Sequence, residues 1–592
     1  MVALLLPIFL LTGCGDNAGS GSAIDGPGKK ILYAPLEAKL TGLDPMLVTD
    51  VYSALVSGQC YEGLYQYHYL KNPEVLIPAL ADGMPAVSAD RLTYTIKIRK
   101  DVTFVGDKCF PGGKGRNIRA EDFIFHLKRI ANVKNVSPQW SGYDDKIVGL
   151  DEFREYTKTV KSKKDVDYNR PIEGLKALDE HTLQIKLKKP WPQLRYSLAG
   201  FTPIAREAVD HYGDQFNNVA VGTGPFIIKT FSPGSKVEMV RNPTFRKEYY
   251  PTDGRPGDKE KGLLDAAGKP IPFIDGIVYY VIEEDQPYWL SLMKGTIDVG
   301  RVPKDFLAQT ITTDRKLTPA MEAKGLQLVV AEEPSLFWLG FNMEDAVVGK
   351  NPVLRLTMSM AFNRQEFIHL FRNDLAIPAK GIFPPCMPDY DKTFKNPWTQ
   401  YDPNRARELM KEAEKINGGK VTVTVSVPGT DTLFRQMGEY FKRSMAKIDV
   451  NVKLDYSDWP TYLDKMNKKL IQISFSGMVF GNPDGIGPLM MFYGPYEAPG
   501  PNSFNFKNKA FDELYRKVEV MDDSPERRAL YRKMERMVCE DCPAIFHSHA
   551  LRTYPYYRYL KNFKYNPFNM STTADAKYFD IDLKLRKELV GR

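Results

Sequence analysis

Residues 221–245, VGTGPFIIKTFSPGSKVEMVRNPTF, are the stretch on which the reading of this chain turns. Gly222 and Gly224 stand two apart, as in a sharp turn where side chains would collide. Pro225 fixes the exit of that turn. Residues 226–231 then read as a strand, Ser232-Pro233-Gly234-Ser235 as a turn, and residues 236–240 as the return strand. Arg241-Asn242-Pro243 ends the hairpin. On its own this is an ordinary hairpin, so its weight depends on what surrounds it.

Upstream, Ile31-Leu32-Tyr33 opens a strand, Leu43-Asp44-Pro45 marks a turn, and Tyr61-Glu62-Gly63-Leu64-Tyr65 follows. Residues 92–99, LTYTIKIR, alternate as a half-buried strand. A long loop, 105–117, carries Cys109 and leads to a helix over 119–129 that ends in Arg129. Residues 182–187 alternate again. Downstream of the hairpin come an exposed, glycine-rich excursion (252–269), a buried-type strand (277–282), and Lys294-Gly295-Thr296-Ile297-Asp298-Val299. Strands at 336–342, 421–427 and 450–454 alternate with helices. One helix begins at Asn351-Pro352, one follows the cap Asp402-Pro403, and one spans 434–446. Ser524-Pro525 caps a last helix with Leu530, Met534, Met537 and Val538 on one face, and residues 544–549 form a strand.

The chain has 592 residues, enough for about four domains at ~150 residues each. Its 81 basic and 73 acidic residues leave a net charge of +8 that is spread along the chain, which suits solvated faces and not nucleic-acid binding. Residues 2–11 are almost wholly apolar, an h-region too short to span a bilayer as a mature helix. Leu11-Thr12-Gly13-Cys14 is similar to the lipobox of bacterial lipoproteins, although no Lys or Arg precedes the apolar run. The similarity implies cleavage after residue 13, lipid on Cys14, and a Gly- and Ser-rich tether over 14–29.

No G-x-S-x-G, H-E-x-x-H, Walker loop or dinucleotide-binding glycine motif is present, so the reading is not an enzyme. Ser444 and Lys447 have S-x-x-K spacing without companion motifs. Cys539, Cys542, His547 and His549 form the best metal candidate, set against a Cys539 to Cys542 disulfide and against free thiols. No metal and no cofactor is assigned.

The motifs in this order resemble the bacterial extracellular solute-binding protein family 5, the receptors of peptide, nickel and related ABC importers. The resembling segments are the L-D-P turn, the E-G-L segment, the helix ending in Arg, the G-T-G-P-F hairpin, the G-x-I-D step and the strand ending Phe341-Asn342. Thr357 and Asn363 depart from the pattern of the following helix. The resemblance implies an α/β fold, periplasmic-binding-protein type II-like, with two lobes, a hinge and an additional inserted domain. Lobe I is expected over 30–65, 195–310 and 545–592, the inserted domain over 66–194, and lobe III over 311–544. It implies a monomer in the periplasm or on the outer face of the cell membrane. Such a receptor captures peptides or other small polar solutes and delivers them to a membrane permease. An envelope sensor or chaperone on the same scaffold, and a hydrolase, are the alternatives.

The binding candidates are Ser476, Gly477, Met478, Val479, Phe480, Asn482 and Asp484, where a buried strand runs into a Gly-Pro loop. In peptide receptors this place resembles G-W-x-x-D, whose aspartate binds the peptide's α-amino group. Here Met478 stands for the tryptophan, Gly481 stands for the aspartate, and the loop is shorter. Asp484 is either a replacement amine anchor or the cap of an Asx turn.

Overall fold

The computed structural model of the chain describes residues 24–48, 50–71, 75–569 and 573–592. The signal segment 1–13 and Cys14 lie outside the described residues.

The quoted hairpin supplies two strands of a four-stranded sheet, ordered Ile31–Leu36, Gly276–Val281, Lys236–Arg241 and Phe226–Ser232. Its glycines let the backbone approach the end of the helix Val51–Cys60. A Cβ on Gly222 would lie 2.1 Å from the Cys60 carbonyl oxygen, and one on Gly224 would lie 2.5 Å from that of Gln59. The Gly224 N–H donates to the Cys60 carbonyl at 2.8 Å, so the hairpin seats that helix on the sheet.

A second four-stranded sheet is ordered Ala86–Val87, Thr93–Lys97, Thr182–Lys186 and Leu175–Asp179, and the helix Ala120–Ala131 packs against it. Its core residues Ile96, Phe123 and Leu183 belong to the same apolar cluster as Leu32, Val237 and Ile277. The expected inserted domain therefore shares one core with the first lobe.

Three of the sequence motifs are buried ion pairs. The Arg129 guanidinium donates twice to Asp44 at 2.6 and 3.1 Å, tying the L-D-P turn to the helix end. Arg246 donates to Glu62 at 2.8 and 3.1 Å, and Thr223 donates to the same carboxylate. Asp298 accepts from the Tyr33 N–H, the Tyr559 hydroxyl and Arg586. Such pairs are costly to break one partner at a time, at about 3–5 kcal/mol.

The third body is built on a seven-stranded sheet. Its main path runs Leu326–Glu332, Ala544–Tyr557, Ser335–Phe341, Ile473–Val479, Thr422–Val427 and Asn451–Tyr456, with Ala376–Pro378 also paired to Ala544–Tyr557. Thr422–Val427 and Asn451–Tyr456 are parallel neighbours joined by the helix Thr432–Ala446, the α/β step expected from the alternating pattern. Asn351, Asp402, Asp431 and Ser524 cap their helices through side-chain oxygens.

Two expected boundaries are corrected. Leu317, Met321 and Leu326 pack into the first core, so the first body continues well past residue 310. Ile545 and Phe546, expected in the first lobe, pack into the third body beside Ala544. The reason is the 14-residue strand Ala544–Tyr557. Its beginning pairs with Ser335–Phe341 and its end with Leu326–Glu332, so it spans both bodies. The tether also ends earlier than 29, because Ile24 packs against Ile31, Tyr33 and Val278.

Candidate functional site

Between the first and third bodies lies a cavity of ≈ 830 Å³. Pro35, Glu37, Lys39, Asp50, Tyr52, Tyr288 and Arg301 line it from the first body. Glu333, Leu375, Val479, Leu551 and Arg552 line it from the third body and from the paired strands that join the two. Tyr554 and Tyr565 complete an aromatic wall.

The strand Ile473–Val479 pairs along its whole length with Ser335–Phe341. On its other side Thr422–Val427 pairs only at Ile473 and Ser474. Among the described residues, residues 475–479 therefore have no strand partner on that side. Val479, 38% exposed, brings this edge to the cavity.

The seven sequence-predicted residues separate here. Val479 lines the large cavity. Gly477 lets the strand approach Phe337, since a Cβ there would lie 2.2 Å from that ring. Ser476 is half-buried, and Met478 packs on the apolar core. Phe480 is buried and donates its N–H to the Pro334 carbonyl at 2.7 Å. Asn482 accepts from the Asp484 N–H. Asp484 is 3% exposed, and both of its oxygens are engaged. Oδ1 accepts from the Ile486 N–H at 3.0 Å and the Tyr531 hydroxyl at 2.8 Å, and Oδ2 accepts from Arg527 at 2.9 Å. The turn-capping alternative describes the bond to Ile486, and the Arg527 partner was not foreseen.

Asp484 walls a smaller cavity of ≈ 250 Å³ with Arg195, Asp389, Asp523, Arg527 and Arg528. Burial, and then the neighbouring Asp484 charge, push the Asp389 carboxyl up to about 6.

Two ion pairs line the large cavity. Arg301 donates to Glu37 and Asp285, each at 2.6 Å. Arg552 donates to Glu333 at 2.6 and 2.8 Å. Burial raises the Tyr52 and Tyr288 phenols above their ordinary value, so both present neutral hydroxyls. The sequence reading missed Glu37, Arg301, Glu333 and Arg552. A single Glu or Arg at a strand end carries no spacing signal, and what pairs it lies far away in the chain.

The other candidates are accounted for locally. Cys60, Cys109, Cys386, Cys539 and Cys542 are free thiols. Burial pushes Cys542 up to about 11 and holds His549 down to about 4. The His547 ring contacts the Ser548 hydroxyl, and His549 donates to the Ser335 carbonyl. Among the described residues no group of three or more His, Cys, Asp or Glu is placed to hold a metal ion. Ser444 is buried and donates to the Tyr440 carbonyl. No helix among the described residues is long and apolar enough to cross a membrane.

Residues 75–500 match the family model described as bacterial extracellular solute-binding proteins, family 5 Middle. The chain is 25% identical over 541 residues to the di/tripeptide-binding protein 2 of Pseudomonas aeruginosa, covering 88% of this chain and 90% of that one. It is 24% identical over 553 residues to the dipeptide-binding protein of Escherichia coli, covering 91% and 92%. HbpA2 from Haemophilus parasuis has the same fold, with a TM-score of 0.74 at 19% identity over 93% of this chain and 100% of that one. So does the periplasmic binding protein DppA from Helicobacter pylori in complex with peptide STSA, with a TM-score of 0.66 at 22% identity over 93% and 98%. With the type II periplasmic-binding fold and a family match over more than half its length, the chain belongs to the bacterial extracellular solute-binding proteins of family 5.

Proposed function

We propose that this protein captures short peptides between its first and third bodies and delivers them to the permease of an ABC importer. The observation that carries the reading is the unpaired edge of Ile473–Val479, which reaches the 830 Å³ cavity at Val479. An extended peptide laid along that edge adds a strand, and its side chains enter the aromatic cavity. The named ligands of the relatives, dipeptides and tripeptides, belong to the same class. The paired strands Leu326–Glu332 and 551–557 are the hinge in this reading. Closure then requires a ligand that binds the closed arrangement better than the open one. Lipid on Cys14 holds the monomer at the outer face of the membrane, near its permease.

Native mass spectrometry of the protein purified from its own host tests this. The expected result is adducts of peptide mass that are lost on denaturation, with a raised melting temperature when a peptide library is added back. The absence of both adducts and a thermal shift would remove the peptide assignment and favour a sensor or chaperone role.

A further inference from the structure

Resting on that reading, we infer that Glu333 receives the positively charged amino group of the ligand. Asp484 is unavailable, because a guanidinium, a phenol and a backbone N–H take both its oxygens. The carboxylates that line the large cavity are Glu37, Asp50 and Glu333. Asp50 spends Oδ1 on the Ser53 N–H and Oδ2 on the Thr41 hydroxyl. Glu37 is held by Arg301, and its side chain is 28% exposed, so water screens it.

Glu333 differs from both. The residue is 7% exposed. Its backbone is fixed on both sides, by its N–H to the Ala550 carbonyl and by the Ser335 N–H to its own carbonyl. Arg552 makes both of its bonds to one oxygen, Oε1. Oε2 is buried and has no hydrogen-bond donor. A buried carboxylate oxygen left without a donor is costly, and a primary ammonium supplies three donors with the complementary charge. Glu333 also stands directly between the strands Leu326–Glu332 and Ser335–Phe341, where the chain passes from one body to the other. An ammonium bound there is held where the two bodies join.

The test uses the full-length protein, a randomised tripeptide library and the same library N-acetylated. Affinity selection finds the best-retained tripeptide, and calorimetry then measures it in free and acetylated form. Acetylation is expected to weaken binding to the wild type about 10- to 100-fold, as loss of a charge-assisted bond does. Glu333→Gln is expected to weaken the free peptide by a similar factor and to leave the acetylated peptide unchanged. Glu333→Asp keeps the charge with a shorter reach and is expected to fall between the two. Thermal melts confirm that each variant is folded. Wild-type affinity for the free peptide in a folded Glu333→Gln protein overturns the assignment of Glu333 and leaves the peptide reading standing. Equal wild-type affinity for free and acetylated peptide overturns the amine class. Retention of no peptide by the wild type overturns both this assignment and the proposed function.

Discussion

At Asp484 a buried carboxylate meets the Arg527 guanidinium, the Tyr531 hydroxyl and a backbone N–H, and Arg527 is itself only 2% exposed. The same chemistry recurs at Asp44 with Arg129, Glu62 with Arg246, and Asp298 with Arg586. The motif carboxylates of this chain are interior fastenings between distant segments. Asp484→Ala is therefore expected to cost about 3–5 kcal/mol of unfolding free energy in urea, because it leaves Arg527 charged and unpaired. The affinity of the fraction that stays folded should be retained. A variant of unchanged stability that no longer binds peptide would return the amine to Asp484. The residues quoted from the hairpin were legible in kind: Gly222 and Gly224 mark a close backbone approach. That the approach is to Cys60 and Gln59 depends on which helix packs there, and no local pattern states that.

The elements were mostly legible, because alternation and caps are local signals. The hairpin, the strand Gly276–Val281, the parallel pair of the third body and the caps Asp402 and Ser524 all stand where their patterns place them. The strand Leu326–Glu332 and the second half of Ala544–Tyr557 were missed. Leu326–Glu332 buries no clean face. Residues 550–557 do bury alternate side chains, but these are Leu551, Thr553, Pro555 and Tyr557, which hydropathy does not separate from Tyr554 and Tyr556 on the other face. Pro555 is tolerated because its carbonyl accepts from the Gly300 N–H, so its missing N–H falls on that side and not in the ladder with Leu328. Between elements, the helix Pro525–Asp541 is fastened to a loop by Glu535, which accepts the N–H groups of Ile382 and Phe383. Burial pushes this carboxyl up to about 7, against the pull of those bonds. A folded-state value above the unfolded one means that the folded chain holds the extra proton. The stability this supplies is complete at low pH and is lost as pH rises through about 7. Relative to Glu535→Gln, the wild type should therefore lose on the order of 1–3 kcal/mol between pH 5 and pH 8. Urea titrations of both proteins across that range check it, and a flat difference would contradict it.

On the scale of the molecule, the first and third bodies meet again at a polar seam. Arg91 donates to the Val520 carbonyl at 2.9 Å and to Asp522 at 2.7 Å, and Arg195 lies 3.9 Å from Asp523. These groups are partly exposed, with Asp522 65% exposed, so each pair is worth at most about 1 kcal/mol and weakens with salt. Arg91→Ala is expected to lower peptide affinity by less than about 5-fold and to shift the peptide-free protein toward a larger radius of gyration in small-angle scattering. A larger loss of affinity would mean that the seam is part of the binding site. What the sequence by itself determined is the local grammar: the α/β class, the helix caps, the strand alternation and the order of motifs that resembles family 5. Only the tertiary structure decided which carboxylate has both oxygens engaged and which keeps one oxygen without a donor. Asp484 finds Arg527 43 residues away, and Glu333 finds Arg552 219 residues away. Both are acidic residues beside a proline in the chain, and what separates them is packing between distant segments, which buries each carboxylate and selects its donors.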